Sequence, residues 1–225
     1  MTLAKKIFTT WKVFRQSPGT FVGLLLDRIG SNIHKLITLD RLDVFVCTCA
    51  PLYPSESSPN IECRPLTKED FSQMRERNDR FGEHARLYYD LRGINSAFGV
   101  FIDGALGHIS WAYTSAEYQL EPYERFRLGL GEAEIVNCFT AEAFRGKGLY
   151  PHAVRLIAIS LLARGIDRVF MCIEPENEAS RRGILKAGLT HCGHVLHLRS
   201  PALKKWRGWY WRKDQSKVVL PQPDV

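Results

Sequence analysis

The stretch CFTAEAFRGKGLYPHAV, residues 138–154, joins a strand-like run to a helix-like run through a short turn of glycines and cations. The first-turn amides of a helix lack intrahelical partners, and the helix dipole favours negative charge at that end. Gly146 and Gly148 permit close approach to the backbone, while Arg145 and Lys147 add positive charge. The stretch therefore predicts a binding site for a phosphate or pyrophosphate at the start of a helix.

Two common phosphate-binding patterns do not fit this turn. A P-loop requires Ser or Thr after its Gly-Lys pair, but Lys147 is followed by Gly148 and Leu149. A dinucleotide-binding G-x-G-x-x-G pattern would place its third glycine near His152 or Ala153, and it belongs early in a parallel βαβ unit. Neither pattern accounts for the turn.

The rest of the chain alternates strand and helix patterns. Residues 95–114, NSAFGVFIDGALGHISWAYT, indicate a hairpin around Asp103-Gly104, a favoured tight-turn pair. Thr67 and Asp70 have capping-box spacing at a helix start. From residue 60 the order is β-α(α)-β-β-β-α-β-α-β-β. This order predicts an α/β fold around a mixed, mostly antiparallel central sheet flanked by helices.

Composition limits the class of protein. The 225 residues are 45% hydrophobic and 24% charged, which is typical of a packed globular chain. None of the six cysteines forms a C-x-x-C pair, so we expect a reducing, cytoplasmic setting. No apolar run is long enough to span a bilayer. We expect no metal site, because His191 and His197 would lie too far apart on a strand and His194 would face the other way.

The N-terminal part has its own character. Residues 1–40 hold six Lys or Arg and one acid before Asp40, and the apolar residues of the first turns fall at helical spacing: Leu3, Ile7, Trp11 and Phe14. This pattern predicts a helix that packs on the main domain or contacts an anionic membrane peripherally, at the inner face. The polar run PLYPSESSPN marks the best boundary. We predict an N-terminal α/β extension at 1–58 and a main domain at 59–225.

The 138–154 stretch resembles motif A of the GNAT superfamily of acyl-CoA-dependent N-acetyltransferases, Arg/Gln-x-x-Gly-x-Gly/Ala. In that family the backbone amides of this motif cradle the coenzyme A pyrophosphate. The resemblance therefore implies that coenzyme A binds at Arg145, Gly146, Lys147, Gly148, Leu149 and Tyr150. The implied co-substrate is acetyl-CoA or another acyl-CoA, with no metal.

The segment after motif A strengthens the resemblance. GIDRVFMCIEPENEASRRGILKAGL looks like the next strand and helix of the family, with Asn177-x-x-Ser180 at the helix start. The resemblance implies that Asn177 contacts the pantetheine arm, although Asn is also a good helix N-cap. It covers roughly residues 60–213 and implies a GNAT-like fold.

Two positions depart from the family pattern. Tyr150 replaces the last Gly/Ala of motif A, and the resulting Arg-Gly-Lys-Gly-Leu-Tyr-Pro is similar to a subgroup associated with bacterial polysaccharide gene clusters. Many members also carry a Tyr seven residues after the Asn as general acid, but here that residue is Ile184. The proton for the departing thiolate must then come from another group or from water.

Acyl transfer needs an oxyanion donor, an oriented acceptor and a base for the ammonium proton. The resemblance implies free backbone amides where two strands splay, at Cys138, Phe139 and Thr140. Candidate bases are Glu134 and Glu132, which on a regular strand would share a face with Val136 and Cys138. Asn137, on the other face, is a candidate substrate-binding residue. The hairpin residues Tyr113 and His108 are further candidates.

These features predict an N-acyltransferase that moves an acetyl or acyl group from coenzyme A to a primary amine of a small molecule. An amino sugar in polysaccharide biosynthesis is the first choice of acceptor, and a net charge of +7 suits an anionic carrier. The alternatives are a protein or peptide N-acetyltransferase and a non-catalytic acyl-CoA sensor. We expect a monomer or homodimer and no nucleic-acid partner, because the aromatic-basic end KKWRGWYWRK fits a packed strand.

Overall fold

A computed structural model describes residues 38–48, 60–121, 127–200 and 203–211. The chain divides into two compact units. One comprises Met1–Asp40 with Leu198–Arg207, and the other comprises Arg41–His197 with Gly208–Val225. The helix predicted near the N-terminus and the domain boundary predicted at residues 58 and 59 lie outside the described residues.

The elements follow the predicted alternation of strands and helices. The helix that begins after Gly148 starts at Leu149, as the sequence indicated, and Pro151 lies in its first turn. Two capping boxes mark the starts of other helices. The one at Thr67 was predicted, and the one at Thr114 was not. The elements are β1 (Thr38–Cys47), β2 (Ile61–Pro65), α1 (Lys68–Arg75), α2 (Arg80–His84), a π-helix (Ala85–Leu91), β3 (Ala97–Ile102), β4 (Ala105–Tyr113), α3 (Ser115–Gln119), β5 (Glu132–Thr140), a 3-10 turn (Glu142–Phe144), α4 (Leu149–Ala163), β6 (Arg168–Ile173), α5 (Glu178–Ala187), β7 (Thr190–Ser200) and β8 (Leu203–Trp211).

The sheet of the larger unit is mixed and mostly antiparallel, which confirms the predicted fold class. Its strands lie in the order β2-β3-β4-β5-β6-β1-β7. Antiparallel pairing joins β2 to β3, β3 to β4, β4 to β5 and β6 to β1, and β5 pairs with β6 in parallel. The predicted hairpin turn is present, with positive φ angles of 50° at Asp103 and 79° at Gly104. Residues 41–47 of β1 belong to this sheet, because Asp43–Cys47 pair with β6.

The helices cover both faces of the sheet and bury two apolar clusters. On one face, Phe71 and Phe81 of α1 and α2 pack in a cluster with Trp111 of β4. On the other, Ile157 of α4 and Ile184 of α5 pack in a cluster with strand residues. Adjacent residues of β5 pack in opposite clusters, so this strand is buried on both faces of the sheet. The end of such a strand can form the floor of a site.

Every helix in the described ranges is too short or too polar to cross a lipid bilayer. No three His, Cys, Asp or Glu side chains in the same ranges converge in a way that could hold a metal ion.

Candidate active site

Two neighbouring strands separate in the middle of the sheet. The parallel pairing of β5 with β6 runs from Glu132 opposite Arg168 to Glu134 opposite Phe170. Beyond that point β6 continues in register with β1, with Ile173 opposite Asp43, while β5 has no further register with β6. The rest of β5, Ile135–Thr140, therefore borders an opening between the two strands. Cys138, Phe139 and Thr140, the predicted oxyanion segment, lie in this part.

A β-bulge distorts β5 in the same opening. Ile109 of β4 lies opposite Phe139 and Trp111 lies opposite Val136, so Ser110 faces two residues, Asn137 and Cys138. Asn137 has a φ of +52°, in the left-handed region that non-glycine residues rarely occupy. A bulge leaves the extra residue unpaired and redirects the backbone. A backbone N–H of the bulge is therefore a candidate donor for a ligand in the opening.

The glycine turn lies at the start of α4. Gly146 and Gly148 have φ angles of +75° and +72°, and a Cβ placed on either would meet no atom within 4 Å. Gly148 is the N-cap of α4 and supplies no side-chain cap, so the first-turn amides remain available to a ligand. Arg145 and Lys147 are both exposed beside them. This combination of open backbone, free amides and two cations suits a pyrophosphate.

The turn opens into a cleft of about 230 Å³. The cleft lies between Thr140, at the end of β5, and the starts of α4 and α5, so the end of this strand and the glycine turn border one cavity. Its walls are Thr140, Phe144, Arg145, Gly146, Gly148, Leu149, Tyr150, Pro151, Ala179 and Gly183.

The start of α5 forms the opposite wall of the cleft. Asn177 is the N-cap of this helix, and its side chain accepts the Ser180 N–H at 3.0 Å. The side-chain hydroxyls of Ser180 and Tyr150 lie 2.7 Å apart. Asn177 therefore has the capping role. Its predicted contact with pantetheine stays a prediction.

Tyr150 fits against α5 because residue 183 is glycine. A Cβ on Gly183 would lie 2.6 Å from Cε1 of Tyr150, closer than real Cβ contacts. We expect Gly183→Ala to displace the tyrosine ring into the cleft and to weaken acetyl-CoA binding about tenfold, because an overpacked contact costs about 1–3 kcal/mol. Calorimetric titration measures the affinity. Adding Tyr150→Leu should restore it, and equal affinities for Gly183→Ala and the native chain would contradict this packing.

Glu134 is buried on β5, with 1% of its surface exposed. The Tyr118 hydroxyl donates to its carboxylate, and Tyr113 is its cross-strand partner on β4. Tyr113 donates to Glu121 at 2.7 Å, and burial together with that bond raises the pKa of Tyr113. Tyr113 therefore remains a protonated phenol and suits a donor rather than a base. Two carboxylates, Glu134 and Glu121, thus lie next to two tyrosines.

Glu132 has a different environment, although it too was a candidate base. Its carboxylate forms an ion pair with Arg168 and accepts the Gly129 N–H at 2.7 Å. An acid held by a cation and a backbone amide suits a structural role in the turn between β5 and the preceding loop. Of the two acids, Glu134 is the better placed to accept a proton.

The bulge changes the faces of β5 predicted for a regular strand. Val136 and Phe139 both pack in the cluster under α1 and α2, whereas Cys138 packs in the cluster under α4 and α5. Cys138 therefore does not share the face of Glu134 and Val136, contrary to the regular alternation. Asn137 donates to the Tyr113 hydroxyl at 3.4 Å, so it lies towards Glu134 instead of away from it.

Cys138 is next to the opening, but its burial makes the thiol poorly suited to act as a nucleophile. Burial raises the pKa of its thiol to about 12, partly offset by a hydrogen bond from Ser110. A thiol with this pKa stays protonated at neutral pH and does not attack a thioester. The site therefore favours direct transfer to an acceptor over an acyl-cysteine intermediate.

Comparisons with known proteins bear on the fold. No protein-family model matches the sequence, and no curated protein does. Among solved structures, an acetyltransferase of the GNAT family from Colwellia psychrerythraea superimposes with a TM-score of 0.50 at 16% identity, covering 77% of this chain and 60% of that one. The chain has a GNAT-like fold.

Two other solved structures resemble the chain. A Drosophila protein gives a TM-score of 0.50 at 12% identity, and the match covers 78% of this chain and 57% of the Drosophila protein. An acetyltransferase of the GNAT family from Novosphingobium aromaticivorans gives a TM-score of 0.48 at 18% identity, and the match covers 72% of this chain and 64% of that one. The chain spans less than two thirds of the length of these structures.

Two residues near Glu134, Tyr118 and Glu121, were not functional candidates in the sequence. Tyr118 lies in α3 and Glu121 follows this helix, in a segment that contained no candidate residue. The Thr114–Glu117 capping box is the pattern that could have placed α3 and with it Tyr118. Ile184, which replaces the expected tyrosine, is fully buried in the core and offers no group to a thiolate.

Proposed function

We propose that this chain is an N-acyltransferase that moves an acetyl or acyl group from coenzyme A to a primary amine. The observation that carries the proposal is a cleft in which the glycine turn of α4 adjoins Thr140, at the end of β5 just beyond the bulge and the separation from β6. The turn supplies amides and cations for a pyrophosphate. The bulge supplies a donor for a carbonyl oxygen, and both are needed by an acyl-CoA.

The residues of the site divide the work of the reaction. The amides at the start of α4, with Arg145 and Lys147, hold the diphosphate, and the start of α5 flanks the pantetheine arm. A backbone N–H of the bulge stabilises the oxyanion that forms when the amine nitrogen attacks the thioester carbonyl. Glu134 accepts the ammonium proton. The C–S bond then breaks, and the thiolate takes a proton from water, since Ile184 supplies none.

The acceptor is proposed to be a small amine, with an amino sugar as the first choice. Glu134 gives the acceptor side an acid that attracts an ammonium group, and Asn137 and Tyr113 supply polar atoms beside it; the charge of Glu121 is already paired with Arg92. The net charge of +7 suits an acceptor on a phosphate-bearing carrier. The resemblance of the Arg145–Pro151 motif to the polysaccharide-cluster subgroup supports the same choice.

The test is thiol release from acetyl-CoA with a panel of amines that includes free amino sugars, nucleotide-linked amino sugars and a peptide with a free N-terminus. We expect turnover with an amino sugar and none without an amine. Turnover with the peptide alone would favour the alternative, a protein N-acetyltransferase. Tight binding of acetyl-CoA without release for any amine would favour a non-catalytic sensor.

A peripheral membrane contact is proposed for residues 1–40 because of their six cations. The full chain should co-sediment with vesicles containing anionic lipids and not with neutral vesicles, and the bound fraction should fall as salt rises. Deleting residues 1–40 should remove this binding. Co-sedimentation that is unchanged by the deletion or by salt would contradict the contact.

A further inference from the structure

A buried chain of polar side chains crosses β4 and β5 at the bulge. His108 is fully buried on β4, with Nδ1 at 2.8 Å from the Thr140 hydroxyl and Nε2 at 2.7 Å from the Ser110 hydroxyl. Ser110 in turn donates to the Cys138 sulfur at 3.1 Å, and that thiol donates to the Val136 carbonyl at 3.9 Å. This series of hydrogen bonds thus begins after the bulge, at Thr140, and ends before it, at Val136.

The direction of the hydrogen bonds is fixed by their partners. Because Ser110 gives its hydroxyl proton to Cys138, its oxygen accepts from Nε2–H of His108. Nδ1 of the neutral ring then accepts from the Thr140 hydroxyl. Burial lowers the pKa of His108 to about 3, so the ring remains neutral and this one-way chain persists across the physiological pH range. Hydrogen bonds aligned in one direction reinforce each other.

The bulge needs such support. Asn137 holds a left-handed backbone that is unfavourable for a non-glycine residue, and such conformations persist only where surrounding contacts fix them. On one side of the bulge β6 has already separated from β5, so sheet pairing there does not fix it. The polar chain joins the residues before and after the bulge to β4, the strand that remains paired.

We infer that His108 and Ser110 are positioning residues that hold the bulge of β5 so that its backbone N–H points at the thioester carbonyl. The inference rests on the proposed function. His108 and Ser110 touch neither substrate, and they act through the backbone at Asn137 and Cys138. Loss of these hydrogen bonds should therefore weaken the polarisation of the thioester carbonyl and leave the diphosphate contacts of α4 unchanged.

The test uses Ser110→Ala, with His108→Gln as a second variant that keeps one donor and one acceptor. Acetyl-CoA labelled with ¹³C at the carbonyl is bound to each protein, and difference infrared spectroscopy measures the carbonyl stretch. The native chain should shift the stretch to lower wavenumber. Ser110→Ala should lose at least about half of this shift and at least about tenfold in kcat, with KM for acetyl-CoA unchanged within about twofold, and His108→Gln should retain most of the shift.

The matched control is Ser96→Ala. The Ser96 hydroxyl is buried and has no hydrogen-bond partner in the described part of the chain, so the same chemical change occurs outside the polar chain. It should leave both the carbonyl shift and kcat unchanged. An equal shift in the native chain and Ser110→Ala, or no shift in the native chain with acetyl-CoA bound, would overturn the inference alone. Failure of the native chain to bind acetyl-CoA would overturn the proposed function and the inference with it.

Discussion

Gly148→Asp should lower the affinity for acetyl-CoA by tenfold or more, or about 1.4 kcal/mol. The substitution places a side chain and a negative charge in the open space at the start of α4, where the diphosphate is proposed to lie. It also removes a glycine from a φ of +72°, which favours this residue. Calorimetric titration of the folded variant with acetyl-CoA measures the change.

Gly165→Asp is the matched control for the backbone effect. Gly165 follows the C-terminal end of the same helix, has a φ of +88°, and a Cβ there would also meet no atom within 4 Å. Its substitution carries the same strain and the same charge, but far along the helix from the glycine turn. We expect a loss of stability in both variants and a loss of affinity only in Gly148→Asp. Equal affinities of the two folded variants for acetyl-CoA would contradict the assignment of the diphosphate site to this turn.

Glu134→Gln should lower turnover by about 10²-fold or more while the affinity for acetyl-CoA stays constant. The substitution keeps the size of the side chain and an acceptor for the Tyr118 hydroxyl, but removes the carboxylate that is proposed to take the ammonium proton. The loss should shrink as pH rises, because more of the acceptor then arrives deprotonated. Steady-state rates of thiol release across pH give both results.

Glu132→Gln is the control for the loss of a buried carboxylate charge that is not proposed to act in catalysis. Glu132 is also buried on β5, but its ion pair with Arg168 gives it a structural environment. We expect this variant to lower the thermal stability, since it removes the buried carboxylate charge that pairs with Arg168, and to change turnover much less than Glu134→Gln. The assignment of the base to Glu134 fails if Glu134→Gln is as active as the native chain at every pH, or if Glu132→Gln loses more activity.

Local chemistry allowed much of the fold to be predicted. The glycine turn, the capping box at Thr67, the Asp103-Gly104 hairpin and the N-cap at Asn177 depend on interactions within a few residues, and the structure contains each of them. The bounds of β5 follow its β-rich composition and the flanking turn residues for the same reason. These features gave the order of the elements and hence the mixed sheet.

The missed features depend on partners that are distant in sequence. The bulge at Asn137 arises from the register of β5 against β4, and a period of two along one strand contains no sign of it. Tyr118 meets Glu134 only because α3 folds back over β5. The π-helix at Ala85–Leu91 likewise follows from packing, since Tyr88 lies against Trp111 of β4 at a ring distance of 5.0 Å.

The central claim is acyl transfer from coenzyme A to an amine nitrogen in the cleft between β5 and α4. The most direct measurement supplies acetyl-CoA labelled with ¹³C in the acetyl group, together with an amino sugar, and follows both products by mass spectrometry. The account predicts one labelled acetyl group on the amine nitrogen for each coenzyme A thiol released. Thiol release with labelled acetate as the only product, or bound acetyl-CoA that is never consumed with any amine, would contradict it.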